Sequence, residues 1–192
     1  MSYHNSVIGI RMLSNSNYRS YTLEERKEIY SRPIEKQFVS VFEDGKAVVM
    51  KHLIKSVLAE DYNRVLDVAK VLALDYQIKV YILPEINARE RILRGLFGLS
   101  IDNGYTPDIM IDRGVFIDVK SPLIIDKLSH NASKASRQSA FACITNHRLP
   151  LNVNQLDDYA KRVFRGEAYD KDEVFFFIDG NIYKKTKDNL GL

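Results

Sequence analysis

Residues 107–120 constrain this chain more than any other stretch. Two apolar runs, Ile109-Met110-Ile111 and Val115-Phe116-Ile117, flank Asp112-Arg113-Gly114. Apolar runs around a short Gly-containing link form a β-hairpin. Side chains alternate along a strand, so Asp118 and Lys120 leave the returning strand on the same face as Phe116. Val115, Ile117 and Val119 take the opposite face. Asp108 opens the first strand, and pairing across the turn brings it opposite residue 118 or 119. Two carboxylates and an ammonium therefore cluster at the end of the hairpin away from the turn. Burying a charge without a partner is costly, and an exposed Asp–Lys pair adds little stability. The pattern fits a site that binds something charged.

The rest of the chain supplies a frame for this hairpin. Thr22 with Glu25 forms a capping box for a short charged helix over 23–30, ended by Ser31-Arg32-Pro33. The runs 37–42 and 47–50 flank Asp44-Gly45 as a second hairpin. Residues 54–76 carry apolar side chains at helical spacing, with Leu58, Tyr62, Val65, Leu66, Ala69, Leu72 and Ala73 on one face. A strand over 79–83 stops at Pro84-Glu85, and a connection with a short helix over 90–97 leads to the central hairpin. Helices are expected over 131–142 and 155–164, the second capped by Asn154, with a strand entered at 142–145. A last hairpin spans 174–185 around Asp179-Gly180-Asn181. Mixed helices and strands with antiparallel pairs give an α/β or α+β class, a mixed sheet flanked by helices. The 192 residues suffice for one nuclease-sized domain over 51–192 behind an N-terminal helix-and-hairpin extension over 1–50.

Chemistry follows from the hairpin. Two neighbouring carboxylates, Asp108 and Asp118, suit a divalent cation such as Mg²⁺, which takes oxygen ligands. Lys120 suits the positioning of a water and the charge that develops on a phosphate. Pro107-Asp108, nine intervening residues, then Asp118-Val119-Lys120 resembles the signature of the PD-(D/E)xK nuclease superfamily. The expected order over 54–146, a helix, three strands, a helix and a strand, is similar to that family's core. The resemblance implies a nuclease with Asp108 and Asp118 as metal ligands and Lys120 as a catalytic residue. It also implies a further acid from the first helix or strand. Glu85, at a strand end near the hairpin mouth, is preferred over Glu60. A Gln or basic residue on the following helix would hold the substrate phosphate, and Gln138, Lys134, Arg137 and His130 are the candidates. Between Lys127 and Arg148 the chain has four Lys or Arg, two His and no acid, which suits phosphate contact.

The same pattern, with a Ser-rich helix and a final hairpin, also resembles C-terminal toxin domains of contact-dependent growth inhibition and related phage and mobile-element proteins. Some of those are PD-(D/E)xK transfer-RNA nucleases, which implies RNA, and tRNA in particular, as substrate. Others are metal-independent ribonucleases of the barnase/EndoU/colicin/RelE-like group. There Lys120, His130, Ser133 and Lys134 would bind phosphate or move protons, and the RNA 2′-hydroxyl would attack. A catalytically inactive nucleic-acid-binding module of a mobile element is a reading from another class. A toxin would also need an immunity protein as partner.

Several classes are excluded. A net charge of +3 permits a nucleic-acid partner without requiring one. No run reaches membrane-spanning length, and the N-terminus lacks the apolar centre of a signal peptide, so a cytoplasmic protein, or a toxin delivered without such a peptide, is expected. Cys143 alone cannot form an intrachain disulfide and reads as a small buried hydrophobe. His52 reads as a satisfied histidine, no Cys/His set has zinc spacing, and no Gly-rich loop has phosphate-cradle spacing.

Overall fold

Strand order follows chain order across a single eight-stranded sheet, in a computed structural model that describes residues 21–99, 105–111, 114–166 and 168–192. The strands are β1 (Phe38–Asp44), β2 (Ala47–His52), β3 (Lys79–Ile82), β4 (Ile109–Ile111), β5 (Val115–Lys120), β6 (Phe141–Thr145), β7 (Glu173–Ile178) and β8 (Asn181–Thr186). Six helices accompany them among the described residues: α1 (Leu23–Ser31), α2 (Tyr62–Tyr76), α3 (Arg91–Leu96), α4 (Leu128–Arg137), α5 (Leu156–Phe164) and α6 (Lys187–Leu190). The class is mixed α/β, as expected. Strands β2, β3, β5, β6 and β7 run parallel to one another, and β1, β4 and β8 run against them. The hairpin expected in the N-terminal extension is β1–β2, the first two strands of this same sheet.

Both faces of the sheet are covered. Tyr62, Val65, Val68, Ala69, Leu72 and Ala73 of α2 pack on Val49, Val80, Ile82, Ile117, Val119 and Cys143. On the opposite face, α4 and α5 enclose Ala142, Ile144, Val174 and Phe176. A third cluster around Phe38, Leu83, Phe97 and Phe116 continues that second face toward β1. Asp118 shares its face with Phe116 and pairs in register with Ala142, so it lies between two apolar clusters.

Local signals explain most boundaries. Thr22 Oγ1 accepts from the Glu25 amide at 3.3 Å while Glu25 Oε2 accepts from the Thr22 amide at 2.8 Å, so α1 begins at its capping box. The central hairpin pairs Ile109 with Ile117 and Ile111 with Val115, with Gly114 at φ 79°. That left-handed conformation favours glycine. Asp112 and Arg113 of the expected turn lie outside the described residues.

Three expectations shift. The long helix starts at Tyr62, not at residue 54. Ser56 Oγ accepts from the Leu58 amide at 3.2 Å and its carbonyl from the Ala59 amide at 3.5 Å, so the segment closes into local turns. Leu58, assigned to the buried face, is 65% exposed. The helix expected over 131–142 is α4, which ends at Arg137. Ser139 turns the chain at φ 60°, and Ala140–Ala142 pass into β6 despite their helical propensity. Pairing beside β5 overrides that propensity. The cap of the next helix moves from Asn154 to Asn152, whose side chain accepts from the Asn154 amide at 2.9 Å and starts a 3₁₀ turn before α5. No helix among the described residues is long and apolar enough to cross a membrane.

His52 is buried and fully satisfied. Its Nε2 lies 3.2 Å from Gln37 Oε1, and its Nδ1 accepts from the Ile54 amide at 3.2 Å. Burial, with the neighbouring Lys51 charge, pushes its pKa down to about 3. Unfolding restores a pKa near 6.5, so the unfolded state gains protons first as pH falls. The stability is therefore complete above about pH 6.5 and drains between 6.5 and 3. Urea titrations of wild type and His52→Gln check this. Between pH 7 and 5, wild type should lose about 2 kcal/mol more than the variant. Parallel losses would show that His52 titrates normally in the fold.

Candidate active site

The parallel strands β2, β3, β5 and β6 end at one edge of the sheet, and a cleft of about 1120 Å³ lies along that edge. Lys55 follows β2, Glu85 follows β3, Lys120 and Ser121 close β5, and Arg148 follows β6; all four segments line it. Helix α2 crosses from β2 to β3 on one face, and α4 crosses from β5 to β6 on the other. Crevices form where successive connections leave on opposite faces, outside the carboxyl ends of the strands.

At the floor of the cleft lie Asp108, Asp118 and Lys120. Asp108 stands just before β4, and its Oδ2 accepts from the Val119 amide at 2.8 Å. That bond takes over where ladder pairing stops, and it sets the carboxylate beside β5. The Leu83 amide donates to the Asp108 carbonyl at 2.9 Å, which ties the end of β3 to the same point. Asp118 is 1% exposed. Its Oδ2 accepts from Lys120 Nζ on the same strand face. Its Oδ1 accepts from the Gln138 side-chain nitrogen at 3.0 Å, in the amide orientation that also lets this nitrogen donate to the Thr106 carbonyl at 3.3 Å. Gln138 is the C-cap of α4, so the early end of that helix brings it here.

The electrostatics follow from this packing. Burial raises the Asp118 pKa to about 7, the Asp108 carboxyl adds to the rise, and Lys120 opposes it. The folded state thus holds a proton that the unfolded chain releases near 3.8, and the fold loses stability as pH rises from about 4 to 7. Two carboxyls close enough to raise one another's proton affinity offer oxygen ligands to a divalent cation, whose charge would relieve their repulsion. The donor set therefore fits Mg²⁺. Among the described residues no group of three or more His, Cys, Asp or Glu converges, so waters and phosphate oxygens would fill the remaining Mg²⁺ positions.

The other candidates divide. Gln138 reaches Asp118, and Glu85 lines the cleft, exposed, without joining the Asp108–Asp118 pair into a triad. Glu60 also lines the cleft and accepts from Arg148 at 2.5 Å. His130, Lys134 and Arg137 are exposed on α4 and do not line it, while Ser133 Oγ donates to the Ser129 carbonyl at 2.9 Å. Cys143 is buried, and its thiol is pushed up by burial and by both aspartates, which leaves it inert. Sequence reasoning missed Arg26, Lys55, Arg64 and Thr106, which also line the cleft. Lys55 follows a parallel strand, Arg26 and Arg64 lie near helix starts and Thr106 precedes β4, positions whose convergence the linear pattern does not show.

Arg94 supports the site from beneath. It is 1% exposed and donates to the carbonyls of Ile86 at 3.3 Å and Tyr105 at 2.8 Å. Thr106 Oγ1 accepts from the Ile86 amide at 3.0 Å. These bonds join the two ends of the connection that carries Glu85 at one end and Asp108 at the other.

Comparison with protein-family models, with curated proteins and with solved structures gives no match.

The carboxyl pair makes a direct prediction. Carbonyl-detected NMR titration should place an apparent midpoint near 7 in wild type. Asp108→Asn should lower it by removing a like charge, and Lys120→Met should raise it by removing the counter-charge. A midpoint that moves in neither variant would show that the three groups do not sense one another.

Proposed function

We propose that this protein is a nuclease that hydrolyses phosphodiester bonds of nucleic acid, with Mg²⁺ held by Asp108 and Asp118 and with Lys120 as a catalytic residue. The observation that carries this reading is the Asp108–Asp118–Lys120 cluster at the cleft floor. A carboxyl that is 1% exposed and pressed against a second carboxyl lowers stability at neutral pH, and burial of apolar groups would serve the fold better. The arrangement suits a ligand that brings positive charge and phosphate together.

The element order supports the resemblance in the sequence. Helix α2, strand β3, the hairpin β4–β5, helix α4 and strand β6 follow one another with only the short α3 and a 3₁₀ turn inserted. Bound Mg²⁺ would supply Lewis acidity at a phosphate oxygen. The protein's own groups do the rest. Lys120, 18% exposed at its side chain, keeps its ammonium at the cleft and offsets charge as water adds to phosphorus and the alkoxide departs. Gln138 and Lys120 hold the two oxygens of Asp118 in place beside Asp108. Glu85 lines the same cleft, and in this reading it would hydrogen-bond a water approaching the phosphate. The likeness to toxin domains directs the first substrate choice to tRNA. The metal-independent ribonuclease reading gives phosphate contact or proton transfer to Lys120, His130, Ser133 and Lys134, and of these only Lys120 lines the cleft.

Purified protein incubated with tRNA, single-stranded RNA and DNA, with Mg²⁺ or EDTA, tests the proposal. Cleavage should require the metal, and Asp118→Ala and Lys120→Ala should each slow it on the order of 10³-fold. Cleavage that persists in EDTA would overturn the metal assignment. Salt-sensitive binding without cleavage would make the domain a binding module.

A further inference from the structure

We propose that Lys55 and Arg64, which line the same cleft as the carboxylate pair, form a second phosphate subsite that grips the nucleic-acid backbone beside the bond to be cut. This inference rests on the nuclease reading and names the groups that hold its substrate.

Two neighbouring lysines make the contrast. Lys51 is 2% exposed, and its Nζ donates to the carbonyls of His52 at 3.2 Å and Lys55 at 3.0 Å. It is satisfied by the fold. Lys55 is 6% exposed, and among the described residues its ammonium is paired by charge with Asp61 rather than hydrogen-bonded. The nearest acid oxygen, Asp61 Oδ2, is 3.9 Å away, beyond hydrogen-bond length. Lys55 lines the cleft. An ammonium carried on a buried stem, ion-paired only at 3.9 Å and reaching the cleft, can take a phosphate oxygen as a closer acceptor.

Arg64 gives the second, independent sign. It lies in the first turn of α2 and lines the same cleft. Its Nε is buried and has no hydrogen-bond partner, the one such side-chain atom among the described residues. The start of this 15-residue helix also lacks a side-chain cap, because Asp61 makes no capping bond. A helix start with a positive partial charge, one unpartnered guanidinium N–H and an ammonium at the same cleft suits a tetrahedral oxyanion with several lone pairs. A phosphodiester has that shape. Of the acids nearby, Glu60 is already held by Arg148, and Asp61 is near enough to Lys55 to be displaced by a phosphate oxygen. The subsite is separate from Lys120 and Gln138, so a strand touching both would be fixed at two points along its backbone.

Binding of a labelled tRNA in EDTA, followed by fluorescence anisotropy across a salt series, tests this without cleavage. Lys55→Met keeps the side-chain volume, and Arg64→Gln keeps polarity. Each should weaken binding by about ten-fold on every sequence and lower the salt slope by about one, while Lys46→Ala in the β1–β2 turn matches wild type. Lys55→Arg should restore most of the affinity, which a purely structural role would not require. Cleavage in Mg²⁺ should show KM raised and kcat nearly kept. Inorganic phosphate at millimolar levels should not displace the RNA; displacement would mark a site for free phosphate and overturn the backbone assignment. Variants that bind and respond to salt as wild type does, in a protein that cleaves, would overturn the subsite and leave the nuclease reading intact. A wild-type protein that neither binds nor cleaves nucleic acid would overturn both.

Discussion

A buried charge in the middle of β5 sets the terms for everything around it. Ile117 and Val119 lock one face of this strand under α2, and Phe116 anchors the other. Asp118 is embedded between them, and a carboxyl in that position must be neutral or compensated. The surrounding structure compensates it locally. Lys120 follows two residues later on the same face, Gln138 arrives from the end of α4, and the small Ala142 occupies the paired position on β6. The repulsion from Asp108 is what remains uncompensated. Asp108 cannot swing away, because its carboxylate is held by the Val119 amide. The strain between the two acids is therefore built into the hairpin.

The sheet turns this local conflict into an accessible site. Its parallel strands end together, and the helices that connect them leave on opposite faces, so the ends of β3 and β5 are not roofed by either layer. A carboxyl buried by its strand neighbours can still meet a ligand there, because Asp108, Asp118 and Lys120 all line the cleft. Burial on the sides keeps the local dielectric low, which strengthens every interaction with a bound charge.

Much of this was legible in the chain. Period-two alternation in 115–120 showed which charges share a face, and the Gly-containing turn placed Asp108 within one residue of its partner. These are short-range properties, set by neighbours in sequence. The start of α2 was not legible, because residues 54–61 have helical spacing while Ser56 diverts the backbone into turns. Nor was the end of α4, where alanines that favour a helix are taken into β6 by strand pairing. The same limit hid the cleft wall. His130, Lys134 and Arg137 looked like phosphate contacts because they crowd one helix after the motif, yet that helix presents only its end, Gln138, to the cleft. Lys55 and Arg64 meet the cleft through β2–β3 pairing, a contact between segments with α2 in between.

Satisfaction of buried polar groups separates scaffold from site in this molecule. Lys51, His52 and Arg94 are as buried as any apolar residue, and each finds its hydrogen bonds within a few residues or one loop. Their role ends in the fold: they stitch β2 to its flanking turns and close the connection before β4. Asp118 and Lys55 are also largely buried, and they are left with a like charge or with an ion pair longer than a hydrogen bond. Both line the same cleft. Lys55, in the turn that follows β2, thereby brings the end of the β1–β2 hairpin to the same cleft as Asp118.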